Sequence, residues 1–166
     1  QPCKTPNWKR GGTDFVAIVG VNGQATLQPL AAFALGNSLS SNGLIEAEVL
    51  AVSSFEELER RKDEVKGKIV YYHSVFDPTK IQTFKAYGES GAFRRAGASR
   101  AAKYGAVAVM IHSLSTAPDN MPHTGSMTYD EAYAKIPAVA LGPNDAQLLF
   151  TLAKKGKVKV QVQTYG

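Results

Sequence analysis

Apolar and polar positions divide this chain into short segments of two different periods. "IEAEVLAV", residues 45–52, alternates: Ile45, Ala47, Val49 and Ala51 share one face and two glutamates the other, the pattern of a half-buried strand. "DFVAIVG" at 14–20 and "KIVYY" at 68–72 are short β-branched runs of the buried-strand kind. "AVAVMI" at 106–111 is apolar throughout and needs cover on both faces. "KIPAVAL" at 135–141 and "KVKVQVQ" at 157–163 bring the count to about six strands.

Three helices fall between them. In "SSFEELERRKDEVKGK" Ser54 and Glu57 make a capping box, Phe55, Leu58 and Val65 lie near one face, and Gly67 supplies a left-handed stop. A second helix, roughly 90–104, is built of small residues, among them Ala92, Ala96, Gly97, Ala101 and Ala102. Each glycine there costs ~1 kcal/mol against alanine, so the composition implies close approach to a neighbour, for which the 106–111 strand is the expected candidate. "GPNDAQLLFTLAKKG" is the third helix, expected to be capped by Asn144, closed at Gly156, and turned inward through Leu148, Leu149 and Leu152. The Gly-, Asn- and Ser-rich stretch 21–43, broken by "LAAFAL", reads as loop or short helix, and 73–88 as loop. Helices separate strands too irregularly for a doubly wound sheet. The fold class is therefore α+β, with a short lead-in over 1–13 and a single domain over 14–166.

Composition changes this little. The 166 residues are 44% apolar and 20% charged, as in an ordinary globular chain. A net charge of +5 invites a nucleic-acid reading, but the densest basic run, 153–160, sets Lys157 and Lys159 against Val158 and Val160. That is the solvated face of a strand, so nucleic acid is not expected as a partner. No apolar stretch approaches the ~20 residues that span a bilayer, so no membrane partner is expected either. Cys3 is the only cysteine and cannot form an internal disulfide. The chain starts without Met or a signal segment and stops just after a strand pattern, which reads as a piece of something longer.

The chemistry-bearing residues concentrate in "DNMPHTGSMTYDE", 119–131. Ser126 with His123 suggests nucleophilic catalysis, but the setting lacks the strand-to-helix elbow that exposes a serine; a polar turn with Thr124, Ser126 and Thr128 bonding their own backbone accounts for it better. His73 and His112 each follow a buried strand and read as hydrogen-bonded strand-end residues that converge on one rim. Three histidines without a helical His–Glu pair offer no zinc site within the chain. "GESGAFRRAG" fits neither phosphate-loop nor dinucleotide spacing, so Arg94 and Arg95 read as helix-surface cations. No catalytic constellation and no cofactor site follow from the residues.

"RAGASRAAKYGAVAVMI", an Ala/Gly-rich helix running into a buried strand, resembles the protease-associated domain. Together with "AEVLAVSSFEELERRKDEVKGKIVYY", "PHTGSMTY" and "IPAVALGPNDAQLL", in that order, it is similar to the insert of that type in M28-family zinc peptidases, over about residues 6–163. The stretch before residue 44 is longer than the family's connection. The resemblance implies a swivelling β/β/α fold with a β-barrel or sandwich core and about three peripheral helices. It implies a non-catalytic domain whose partners are the peptidase domain of the same polypeptide and a peptide substrate; it leaves a homodimer of the parent open. The zinc ions and their ligands would belong to that peptidase domain, and the parent would be secreted or periplasmic. His112, His123, Thr124, Gly125, Ser126 and Tyr129 become candidates for lining the substrate cleft or the interdomain contact. A free-standing peptide- or protein-binding module and a small independent hydrolase are the competing readings.

Overall fold

The structure, a computed structural model, describes residues 14–35, 38, 41, 43–73, 96–112 and 129–164. Among these residues eight strands form one curled sheet: β1 (Phe15–Val21), β2 (Gln24–Leu30), β3 (Ala32–Ala34), β4 (Ile45–Val52), β5 (Ile69–Tyr72), β6 (Ala108–His112), β7 (Ala138–Leu141) and β8 (Val158–Gln163). Their spatial order is β2-β1-β8-β4-β5-β6-β7-β3. The first and last strands of that order are consecutive in the chain, parted only by Ala31, so the two edges of the curl approach each other there without pairing. At that corner Ala31 N–H donates to Asp145 Oδ2 at 2.7 Å, and Ala31 accepts from Gly142 N–H at 2.8 Å. Ala34 N–H donates to the buried Asp14 Oδ2 at 2.8 Å.

One half of the sheet is parallel and one antiparallel. β4, β5, β6 and β7 run parallel in sequence order. β8 lies antiparallel to β4 and β1, and β2 antiparallel to β1. β4 serves both halves, pairing with β8 over 45–48 and with β5 over 49–52. Hence its outer face changes from the exposed Glu46 and partly exposed Glu48 to the buried Leu50 and Val52. At the far side of β1, Phe15 stands opposite Gln163 of β8.

Helices α1 (Phe55–Arg60), α2 (96–102) and α3 (Pro143–Lys155) complete the described residues. Ser54 caps α1, its Oγ accepting from Glu57 N–H at 3.0 Å, while the Glu57 carboxylate reaches one residue further back than a capping box requires and accepts from Ser53 N–H at 2.8 Å. The helix then tightens into a 3₁₀ turn, Lys62–Glu64, and Gly67 at φ 77° ends it. α1 and α2 cover the outer face of the parallel half, where Leu58, Val65, Ala98 and Ala101 pack on Leu50, Val70, Tyr72, Val109 and Ile111. The inner face gathers residues from both halves, including Ile18, Ile69, Met110, Leu141 and Val160, with Ala146 and Leu149 of α3. Gly97 explains the small residues of α2: a Cβ there would lie 2.8 Å from Cε2 of Tyr72, whose hydroxyl donates to Gly97 O at 2.7 Å. The close neighbour is thus a tyrosine of β5, with the 106–111 strand beside it.

Three expectations are corrected. The stretch 21–43 contains two strands rather than a loop or short helix; Asn22 and Gly23, at φ 51° and 81°, form the tight turn that reverses β1 into β2. The residue capping α3 is Gly142, with Pro143 in the first turn, in place of Asn144. Leu148 is exposed at 38%, and Ala146 joins Leu149 as the fully buried face of α3. The part of the second helix before residue 96, including Ala92, Arg94 and Arg95, lies outside the described residues, as does Cys3.

Candidate functional site

The described candidates occupy two places. At the C-terminal ends of β5 and β6, the parallel register that pairs Tyr72 with Ile111 brings His73 alongside His112, their ring centroids 5.6 Å apart. The two histidines expected at one rim do meet there. Both continue rows that face the sheet interior, His73 after Ile69 and Tyr71, His112 after Ala108 and Met110. α3 closes this mouth. Phe150 stacks on the His73 ring at 3.6 Å with an interplanar angle of 1°, and Lys154 Nζ lies 4.6 Å from the centroid of the Phe150 ring.

Hydrogen bonding fixes the His73 tautomer. Tyr71 Oη donates its one proton to Ala146 O at 3.0 Å and lies 2.9 Å from His73 Nδ1. With that proton spent, Nδ1 must carry the hydrogen of the second bond, leaving the lone pair on Nε2. Burial, then the nearby charges of His112 and Lys154, hold the His73 pKa down at about 4 against an ordinary 6.5. Burial likewise pushes the Tyr71 hydroxyl well up. A neutral imidazole stacked on phenylalanine, beside a phenol that keeps its proton, is a fastening between α3 and the mouth. Nothing in it activates a nucleophile: no carboxylate among the described residues orients His73.

Tyr129 sits on the opposite face, packed against the cluster under α2, and its hydroxyl donates to Ile136 O at 2.7 Å. It lines a cleft of about 760 Å³ between α2 and the 129–133 turn, together with Glu59, Ser99, Arg100, Lys103 and Tyr133. Ser99 Oγ holds the turn by accepting from Asp130 N–H at 2.8 Å, and the Arg100 guanidinium lies 4.3 Å from the centroid of the Phe55 ring. Tyr104 donates to Glu59, which raises the tyrosine's pKa. The structure therefore places His112 and Tyr129 apart, on two sides of one sheet. His123, Thr124, Gly125 and Ser126 lie outside the described residues.

Phe150, Lys154, Arg100 and Lys103 are the residues that sequence reading passed over. Only the i, i+2 spacing of Tyr71 and His73 carried a signal, since a strand sets such residues on one face. Among the described residues no three His, Cys, Asp or Glu side chains gather as metal ligands.

No protein-family model matches the chain. Individual proteins do. Over 166 residues and 98% of its length the chain is 37% identical to carboxypeptidase Q of Xenopus laevis, and it is 34% identical to that of Homo sapiens over 165 residues. It spans 32% of the length of each. Among solved structures, a peptidase M28 precursor from Shewanella amazonensis superposes with a TM-score of 0.79 at 29% identity, over 92% of this chain and 34% of that one. An aminopeptidase from Aneurinibacillus sp. strain AM-1 shares the fold alone, with a TM-score of 0.60 at 16% identity, over 93% of this chain and 31% of that one. The chain is thus homologous to one third of carboxypeptidase Q, and it folds as the matching third of an M28 peptidase precursor does.

Proposed function

We propose that the chain is the protease-associated domain of a secreted or periplasmic M28-type zinc exopeptidase. It is non-catalytic itself, lies over the active-site cleft of the peptidase domain, and shapes which peptides enter. The observation that carries this reading is the match of 98% of the chain to only 32% of a carboxypeptidase. The packing of His73 agrees with it, since a stacked, hydrogen-bonded, neutral histidine serves structure. Zinc would be held by the rest of the polypeptide, and no step of its chemistry falls to the described residues. Excluding water and restricting access are the contributions open to such a domain.

The test is made in the full-length peptidase. Replacing this segment by a short linker is expected to change kcat/KM by at least tenfold for longer peptides relative to dipeptides. Unchanged selectivity, or dipeptide hydrolysis by this chain alone, overturns the proposal. His123→Ala asks the narrower question of whether the 119–131 segment lines the cleft; equal kcat/KM across all peptides dismisses that role.

A second reading, a free-standing peptide-binding module, is favoured by the Tyr129 cleft. Its Arg100 and Lys103 have no carboxylate within salt-bridge distance among the described residues. Residue-specific NMR shifts at Ser99, Arg100 and Tyr133 on adding short peptides to the chain would support it.

A further inference from the structure

From Phe15 to Ile45 the chain carries no charged residue. All 19 Lys and Arg and all 14 Asp and Glu lie outside these 31 positions, where the overall 20% content would place about six. That stretch supplies β1, β2 and β3, and in β2 the first six of seven residues are exposed. β2 pairs with β1 on one side, and no described strand pairs with its other edge. Three of the four exposed large apolar residues among the described ones fall in the same stretch: Phe15 at 37%, Leu27 at 68% and Leu44 at 53%.

An open edge strand offers unpaired N–H and C=O groups to any other strand, and proteins that leave one in water guard it with charge, especially lysine. Here the guard is one proline, Pro29, near the end of β2. Charge depletion joined to exposed apolar side chains is the mark of a surface that is covered in its working assembly. The relatives indicate by what: this chain spans 32% of their length, so about two thirds of such a polypeptide packs outside it.

We infer that the β1–β2 hairpin is the docking surface for the remaining part of the longer polypeptide, which covers Leu27 and adds backbone hydrogen bonds along the open edge of β2. The inference rests on the accessory-domain reading above and names the face by which that domain is held.

Hydrogen exchange measured by mass spectrometry on the full-length polypeptide tests it, with Leu27→Lys as the variant and Lys159→Glu, on the already charged face of β8, as control. In the wild type and in Lys159→Glu, amides of residues 24–28 are expected to exchange at least tenfold more slowly than in the 166-residue chain alone. In Leu27→Lys that protection is lost, while amides of β5 and β6 stay protected, showing that the fold survives. Equal exchange of 24–28 in the long and short polypeptides overturns the inference and leaves the linker-replacement result for the accessory role untouched. Sedimentation of the 166-residue chain as a dimer that Leu27→Lys dissociates also overturns it, because a second copy would then own the hairpin. A mature gene product with the intact mass of this chain overturns both readings at once.

Discussion

The parallel half of the sheet and the β1–β2 wing are built on opposite terms. Every residue of β5 and β7 is buried, because helices cover one face and the closed interior the other. β2 is exposed along nearly its whole length, no described helix lies on it, it carries no charge, and its alternation of polar and apolar residues from Gln24 to Pro29 is matched by no difference in burial. The same sheet thus contains strands whose sequences are dictated by their surroundings and one whose sequence is almost free of them. The difference shows that strand formation in this protein depends on pairing in both regions, whereas apolar burial contributes throughout the parallel half and, in the wing, through β1 but hardly through β2.

The largest effect should come from the parallel half. Ile69→Ala removes a fully buried side chain facing the interior and is expected to cost ~3–4 kcal/mol in chemical denaturation. Leu27→Ala, at the other extreme, should stay within ~0.5 kcal/mol. A large loss at Leu27 in this chain alone would erase the contrast. Gly97→Ala comes next, at ~2–3 kcal/mol, since the new methyl group meets a buried ring that cannot withdraw without giving up its hydrogen bond.

Acid separates the regions by another route. His73 titrates near 6.5 when unfolded and at about 4 when folded, so the unfolded chain binds the extra proton between those values. Stability is complete above pH 6.5 and falls as pH drops towards 4, by on the order of 2–3 kcal/mol. His73→Phe should remove that part of the slope, read as the difference between denaturation midpoints at pH 7 and 4.5. The smallest effect before Leu27 is Ser54→Ala, at ~1 kcal/mol for the lost cap of α1. Both are read in the same denaturation series.

The contrast also explains what the sequence disclosed. β5, β6 and β7 stood out as unbroken apolar runs because they are enclosed, and the N-terminal cap of α1 is local chemistry written in four residues. The glycine and alanines of α2 announced a close approach, although naming Tyr72 as the contact required the fold. β2 escaped notice because its alternation, Gln24, Thr26 and Gln28 against Ala25, Leu27 and Pro29, holds one strongly apolar residue and a proline; the Asn22–Gly23 pair was the other available signal. Of the site, strand ends sufficed to bring His73 and His112 together. Phe150 and Lys154 were invisible, since their role depends on α3 crossing the barrel mouth from the far end of the chain. Strand parity sets His112 in the interior row, but the position of Tyr129, which lies on no strand, required the fold.

The pairing of Phe15 with Gln163 has a mechanical consequence. Tension applied where the described chain enters and leaves would pull two neighbouring antiparallel strands apart from their shared end, rupturing the rungs between β1 and β8 one after another rather than all together. A protein held this way should yield to a weak tug like a zipper, whereas the parallel strands behind it, loaded along their length, would resist as a block.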